Sequence, residues 1–188
     1  AMAIISDSVL LAGGYSSGLW KVNINASENN FSRILNAGRI NAIQKINKTV
    51  YALGTNEKGI IVVNEEGKIL KEYTRLPNRV QQLALQDNIL YAGTKEGIFT
   101  INLNNDHIIG YNNSNLLPFD EIIDLKINDS IIFIAGRFPT GNVQKIFIFI
   151  LYPFFNSAGK HFHHINRIVF SCQWYNIDPT FRLSLRHQ

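Results

Sequence analysis

Charged side chains at recurring loop positions are the residues of this sequence best suited to bind a ligand. Arg39, Arg79 and Glu121 each stand one position before an apolar residue that opens a strand-like run. An arginine at such a position can bind a carboxylate or a sulfate through two parallel hydrogen bonds. The alternative interpretation is that these side chains are solvated loop charges, or that Arg79 and Glu121 form an ion pair.

A histidine cluster near the C-terminus raises the question of a metal site. In a strand, His161 and His163 would share one face and could both coordinate a metal ion. No carboxylate or thiol follows closely, since Cys172 comes eight residues after His164 and Asp178 comes later still. We therefore expect no metal and no other cofactor.

Catalytic arrangements are also not favoured by the residues present. A nucleophilic triad needs a placed serine or cysteine together with a histidine and an acid. His107 follows Asp106 in a polar turn and is best explained as an exposed residue at a strand edge. Cys172 lies among aromatic residues, where a thiol is not activated. The glycine pairs lack the lysine and the helix of a phosphate-binding loop, so we expect no enzyme activity.

A pair of glycines recurs along the first 142 residues. The residue pairs before each polar turn are spaced by 41, 39 and 43 residues, and the second glycines by 41, 38 and 44. The pairs are Ala12-Gly13, Leu53-Gly54, Ala92-Gly93 and Ala135-Gly136, and the second glycines are Gly18, Gly59, Gly97 and Gly141. Four β-rich runs joined by polar turns fill each interval.

This period predicts the fold class. Four-stranded units of about 40 residues are typical of β-propeller blades, whereas a β-sandwich gives no reason for such a period. We predict an all-β, incomplete β-propeller of about three and a half four-stranded blades, with an atypical C-terminal tail. The predicted repeats lie near 1–36, 37–74, 75–115 and 116–142, followed by a tail at 143–188.

The two glycines of each unit have different predicted roles. We expect the first to end the second strand where the backbone turns, and the second to start the third strand where a side chain would obstruct it. Loops before the first strand and after the second strand then share one face of the ring. The predicted ligand-binding residues on that face are Arg39, Arg79, Glu121, Arg137, Tyr15, Lys58 and Glu96.

The tail differs from the repeats in composition. Residues 1–142 contain 13 basic and 13 acidic residues, whereas 143–188 contain five basic residues, one acid and ten aromatic residues. The net charge of +4 therefore belongs to the tail, and a basic surface for nucleic acid is not predicted on the body. The tail is a degenerate blade, a separate interaction segment, or an out-of-frame product of an interrupted coding sequence, the last being favoured.

Membrane and export features are weak in this sequence. Residues 1–11 contain Asp7 and lack the charged start of a signal peptide. The longest apolar run, from Ile146 to Phe155, is interrupted by Pro153 and is shorter than the roughly 20 residues that a membrane helix needs. We expect no membrane span in this chain, and a missing signal does not exclude export of a longer parent.

The segment ILYAGTKEGIFTINLNN resembles the two-component regulator propeller repeat. That family combines a Gly-Thr pair, a second glycine with an apolar residue, and a Leu-Pro stretch leading into the next blade. The matching residues are Gly93-Thr94, Gly97-Ile98, Leu117-Pro118 with Ile122, Leu76-Pro77 with Val80, Gly54-Thr55, Gly59-Ile60 and Gly18-Leu19. The chain departs from the pattern at Gly14, which replaces the threonine, and at Asn142, where an apolar residue is expected.

The resemblance implies a function. Such repeats form the sensor region of hybrid two-component histidine kinases outside the cytoplasm. It implies that this chain is a fragment of a non-catalytic ligand-sensing module, with a polar ligand such as a glycan and with neighbouring blades or domains of a longer parent as partners. It implies a periplasmic or extracytoplasmic location. The alternatives are a protein-interaction scaffold or a truncated product without function.

Overall fold

Only β-strands form regular structure in the described part of the chain, as seen in a computed structural model. It describes residues 1–25, 30–77, 79–112, 114, 117, 121–127 and 132–136 in full. For residues 128, 131 and 137, and for the strands at 146–155, 161–164 and 169–172, it describes the backbone alone. Within these residues there is no helix, and so none that could cross a bilayer.

The first two sheets are antiparallel meanders in which each strand pairs with the next along the chain. Polar turns end each strand, as the alternation of apolar runs and Asn, Asp or Gly clusters predicts. The first sheet contains β1 (Met2–Ser6), β2 (Val9–Gly13), β3 (Leu19–Asn23) and β4 (Phe31–Leu35). The second contains β5 (Ile40–Lys45), β6 (Val50–Thr55), β7 (Ile60–Asn64) and β8 (Ile69–Tyr73).

The third sheet repeats this order, and the fourth begins in the same way. The third contains β9 (Gln82–Gln86), β10 (Ile89–Thr94), β11 (Gly97–Asn102) and β12 (Ile108–Tyr111). The fourth contains β13 (Glu121–Asn128), β14 (Ile131–Arg137), β15 (Ile146–Phe155) and β16 (His161–His164), and β17 (Val169–Cys172) also pairs with β15. The predicted tail thus contributes strands beside β14, while the predicted boundary after residue 142 lies outside the described residues.

Three apolar layers join the four sheets face to face. Successive side chains of a strand point to opposite faces, so Leu53 packs towards the first sheet and Ala52 towards the third. A third layer, with Tyr91 and Ile122, lies between the third and fourth sheets. The first strands β1, β5, β9 and β13 contact one another in series. These first strands are the inner strands of four sheets stacked face to face, which is the arrangement of propeller blades. The predicted all-β propeller fold class is confirmed.

The first glycine of each unit makes room for the next blade. At Gly13, Gly54 and Gly93, an added Cβ would lie 2.7–2.8 Å from a side-chain carbon of the following inner strand. The residues that dock there are Ile40, Val80 and Ile122. The expectation that this glycine ends its strand at a turn is wrong for the second and third blades, because β6 and β10 continue to Thr55 and Thr94. Close approach between blades, not turn geometry, explains the glycine there.

The second glycine of each unit is required by the backbone, as predicted. Gly18, Gly59 and Gly97 have φ values of +79°, +66° and +119°, which L-residues rarely adopt. A Cβ at these positions would lie 2.1–2.3 Å from a carbonyl oxygen of the fourth strand in the same blade. The turn is also closed by threonine: the Thr55 and Thr94 hydroxyls donate to the carbonyls of Gly59 and Gly97 at 2.9 Å.

The fourth blade is offset by one residue from the predicted alignment. Ala42 pairs with Gly54 directly after a bulge in β5, and Asp124 pairs with Ala135 directly after a bulge in β13. Ala135 therefore occupies the position of Gly54, and the assignment of Gly136 to that position is wrong. The first hairpin of the fourth blade is one residue shorter than that of the second blade and equal in length to that of the third. Gly141 and the turn at 138–140 lie outside the described residues.

Candidate functional site

A cleft of about 380 Å³ opens on the face of the ring where the loops between blades meet. It lies beside the beginnings of three successive inner strands, β5, β9 and β13. Polar side chains make up much of its wall. The lining residues are Ala1, Gly13, Gly14, Tyr15, Arg39, Ile40, Asn41, Arg79, Gln81, Gln82 and Ile123.

Arg39 is held in place on two sides within the cleft. Its guanidinium carbon lies 4.3 Å from the centroid of the Tyr15 ring, a cation–π contact. Its Nε donates a hydrogen bond of 2.8 Å to Asn41 Oδ1. Tyr15 comes from the β2–β3 loop of the first blade, whereas Arg39 precedes the first strand of the second. The fold therefore brings together side chains from two blades. The terminal nitrogens of Arg39 make no hydrogen bond to the described residues.

Arg79 occupies an unusual backbone conformation. Its φ is +67°, a left-handed value at which glycine is the unstrained choice. The conformation is held by a hydrogen bond of 2.9 Å from its backbone N–H to the carbonyl of Asn56. The N–H of Asn56 in turn donates to the carbonyl of Arg39 at 3.0 Å. One residue of the β6–β7 loop therefore connects the backbones of the two cleft arginines.

The described lining of the cleft carries positive charge from two arginines. Among the described residues, neither Arg39 nor Arg79 forms an ion pair with a carboxylate. Both arginines are half-buried, so their charges are less screened than those of fully exposed side chains. An anion entering the cleft would meet two guanidinium groups together with the amide side chains of Asn41, Gln81 and Gln82.

The seven residues predicted for ligand binding fall into three groups. Tyr15, Arg39 and Arg79 line the cleft. Glu121 lies next to it and accepts a hydrogen bond of 3.4 Å from Gln81 Nε2 rather than pairing with Arg79. Lys58 and Glu96 do not line the cleft and are exposed in the β6–β7 and β10–β11 loops. The side chain of Arg137 lies outside the described residues.

Sequence reasoning missed Asn41, Gln81 and Ile123, although a signal for them exists. Each lies one position after the apolar residue that docks into the preceding blade. Alternation along a strand places the residues on either side of a packed residue on the opposite face. The bulges of β5 and β13 fall at Asn41 and Ile123 and turn these side chains towards the cleft. Applying this alternation of side chains to the first strand of each repeat identifies the three residues from the sequence.

One cluster of titratable side chains with shifted pKa values lies at the outer edge, away from the cleft. Asp106, in the β11–β12 turn, pairs with Lys71 of β8 and accepts a hydrogen bond of 2.8 Å from the Tyr73 hydroxyl. The hydrogen bond from Lys71, and then that from Tyr73, lower the pKa of Asp106. Burial and the hydrogen bond to Asp106 raise the pKa of Tyr73. The cluster connects the second and third blades.

Metal-binding side chains do not converge within the part of the chain that is described. There, no three residues among His, Cys, Asp and Glu come together as a metal site would require. The side chains of His161 and His163 lie outside that part, so the expected absence of a metal at the histidine cluster stays a prediction.

Known structures resemble this chain in fold. No protein-family model matches it, and no curated protein does. The extracellular domain of the putative hybrid two component system BT4673 from B. thetaiotaomicron superposes with a TM-score of 0.63 at 14% identity, covering 100% of this chain and 33% of that domain. The corresponding domain of BT3049 from the same organism gives 0.60 at 16% identity, covering 82% and 22%.

A third similar structure is the WD40 β-propeller domain of Doa1, with a TM-score of 0.57 at 12% identity, covering 80% of this chain and 50% of that one. The chain therefore spans between about a fifth and a half of the length of these domains. At such low identity the superpositions establish the architecture and not the activity. The protein is an all-β chain of propeller blades, similar in architecture to the extracellular domains of these two-component systems.

Proposed function

We propose that this chain is part of a non-catalytic, ligand-sensing propeller module that binds a polar anionic ligand in the loop-face cleft. The observation that carries the proposal is the presence of two half-buried arginines, without carboxylate partners among the described residues, in one cleft of about 380 Å³. Small-molecule sites commonly occupy roughly 300–1,000 Å³ and contain a few placed polar groups. The cleft fits this description.

The ligand class follows from the lining residues. Guanidinium groups pair with carboxylate or sulfate oxygens through two parallel hydrogen bonds. The amides of Asn41, Gln81 and Gln82 can both donate and accept hydrogen bonds, which suits hydroxyl groups. A ligand that carries both an oxyanion and several hydroxyls, such as an acidic glycan unit, satisfies this set.

The cellular setting of the proposal is an extracytoplasmic sensor of the two-component type. It is supported by the similarity in fold to the BT4673 and BT3049 domains and by the Gly-Thr and Leu-Pro elements of the repeat. In this setting the chain would act with neighbouring blades or domains of a longer parent. Nucleic acid is not the proposed partner, because the body of repeats carries no net positive charge.

A catalytic function is not proposed, because the cleft lining described above contains no histidine, cysteine or carboxylate. General acid–base or nucleophilic catalysis needs such groups within hydrogen-bond reach of the ligand. The described histidine, His107, is exposed in the β11–β12 turn and belongs to the outer edge. The described lining can therefore hold and orient a ligand, and it brings no histidine, cysteine or carboxylate to it.

An interaction scaffold is the second candidate function. The observation that favours it is the exposure of Met2, Ile4 and Phe31 in the first blade, at 75%, 71% and 60%. Exposed apolar side chains grouped on one sheet often mark contact with another protein surface. A scaffold would form a stable complex with a protein partner and show no change in thermal stability with small anions.

The function is tested by titrating the full chain with D-glucuronate, D-glucose and inorganic sulfate, using isothermal calorimetry. We expect glucuronate and sulfate to bind and glucose to bind much more weakly. In Arg39→Gln or Arg79→Gln the affinity for glucuronate should fall by about tenfold or more, because hydrogen bonds to charged groups contribute roughly 1.5–3 kcal/mol. Arg33→Gln removes an exposed arginine of β4 and should change nothing. Equal binding of glucose and glucuronate would reject the proposal.

A further inference from the structure

The Asn41 side chain makes two hydrogen bonds at the wall of the cleft. Its Oδ1 accepts the hydrogen bond from Arg39 Nε at 2.8 Å, and its Nδ2 donates to the carbonyl of Val80 at 2.9 Å. Both ends of one amide are thus used, one within the second blade and one across to the third. An amide that satisfies both ends is fixed in a single orientation, and so are the groups that it contacts.

The backbone explains why this side chain reaches the cleft. Asn41 is the unpaired residue of the bulge between Ile40 and Ala42, where the register with β6 shifts. A bulge inserts an extra residue and redirects its side chain relative to the regular strand. Ile40, on the packing side, docks against Gly13 of the first blade. Asn41 is therefore free to point along the loop face.

The next inner strand repeats the arrangement. Gln81 occupies the position of Asn41 in the third blade, and its Nε2 lies 3.4 Å from Glu121 Oε1 in the fourth blade. In both cases an amide two residues after the arginine position reaches forward to the following blade. The series ends at Ile123, which has no polar group to continue it. An amide therefore recurs on the cleft side of two successive inner strands, β5 and β9.

The contacts with Tyr15 and Asn41 leave only part of the Arg39 guanidinium group available to a ligand. Tyr15 covers a face of the guanidinium and Asn41 occupies Nε, so the two terminal nitrogens remain for a ligand. We propose, resting on the function proposed above, that Asn41 is the positioning residue that presets Arg39 for the oxyanion of the ligand and ties the cleft to the third blade. A preset arginine loses less side-chain entropy on binding than a mobile one.

The test uses the 15N-labelled full chain and inorganic sulfate as the probe. The Arg39 Nε–H signal, assigned by its absence in Arg39→Lys, should be sharp and protected from exchange before any anion is added. In Asn41→Leu this signal should be lost and the affinity for sulfate should fall about three- to tenfold, as expected for one side chain that must be ordered on binding. Gln44→Leu, an amide of the same strand outside the cleft lining, should leave both unchanged.

A second variant separates positioning from charge. Asn41→Asp keeps the acceptor for Arg39 Nε, so the signal should persist, but its carboxylate competes with sulfate and the affinity should fall further than in Asn41→Leu. Retention of the signal and of wild-type affinity in Asn41→Leu would overturn the inference. If the signal depends on Asn41 while sulfate fails to bind the wild-type chain, the positioning of Arg39 stands and the anion-binding function is rejected.

Discussion

The packing side and the cleft side of the inner strands differ in how their residues repeat from blade to blade. On the packing side, Ile40, Val80 and Ile122 repeat with nearly the same size and all dock against a glycine of the preceding blade. On the cleft side, the neighbouring positions change from blade to blade: arginine and asparagine, then arginine and glutamine, then glutamate and isoleucine. The difference indicates that the repeat preserves blade contact, while the side facing the cleft is free to specify a ligand.

The second glycine of each unit, which lies against the fourth strand of its own blade, should be the position most sensitive to change. In Gly59→Ala the new methyl would lie 2.3 Å from the carbonyl oxygen of Tyr73, at a φ of +66°. Since a strand backbone cannot move aside without losing its pairing, we expect a loss of about 4 kcal/mol or more in the free energy of unfolding. Urea denaturation of the full chain followed by tryptophan fluorescence measures it.

The matched control is Gly38→Ala, which has a similar φ of +68° but no heavy atom within 4 Å of the added Cβ. It isolates the cost of the left-handed backbone, roughly 1–2 kcal/mol. Equal losses in the two variants would show that backbone conformation alone, and not the packing of the fourth strand, requires the glycine at position 59.

Two adjacent isoleucines of β13 allow the comparison to be made within one strand. Ile122 is fully buried between the third and fourth blades, whereas Ile123 lines the cleft and is half-buried. We expect Ile122→Ala to lower the free energy of unfolding by about 3 kcal/mol, through lost burial and the cavity left behind. Ile123→Ala should cost about 1 kcal/mol or less. A larger loss of stability in Ile123→Ala than in Ile122→Ala would contradict the assignment of Ile122 to the packing side and Ile123 to the cleft side.

The outer edge should contribute the smallest effect, and one that depends on pH. Because the pKa of Asp106 is lowered in the folded chain, its ion pair stabilises the fold fully above the ordinary value of 3.8. That contribution is lost as the pH falls below 3.8 and through the lowered pKa. In Asp106→Asn the decrease in stability over this acid range should be slightly smaller than in the wild-type chain. Denaturant titrations at pH 5 and pH 3 measure the difference, and identical decreases would contradict the role of the pair.

The fold could be predicted from the sequence because its determinants are periodic. The spacing of Gly18, Gly59 and Gly97 is fixed by a left-handed backbone together with a carbonyl oxygen at the place of the Cβ, which excludes any side chain. The roles of Gly54 and Gly93 were harder to assign, since the atom that excludes a Cβ belongs to the next blade. The one-residue offset at Ala135 could not be predicted because spacing alone does not fix the length of a hairpin.

The candidate site could be predicted in part. Arg39 and Arg79 stand out by charge at equivalent positions, and Tyr15 by its place in the facing loop. Asn41 and Gln81 escaped notice because an amide has no charge and resembles turn chemistry in a sequence rich in asparagine. Lys58 and Glu96 were included from loop position alone, but which residue of a loop faces inward depends on the turn that Thr55 and Thr94 close.

The central claim is that the cleft side of the inner strands is dedicated to binding an anion, while the packing side holds the blades together. The most direct measurement is the thermal unfolding midpoint of the wild-type chain and of Arg39→Gln/Arg79→Gln, each with and without D-glucuronate. We predict equal midpoints without the ligand and a rise with the ligand in the wild-type chain alone. A double variant that unfolds at a markedly lower temperature without ligand, or that keeps the full rise with ligand, would contradict the account.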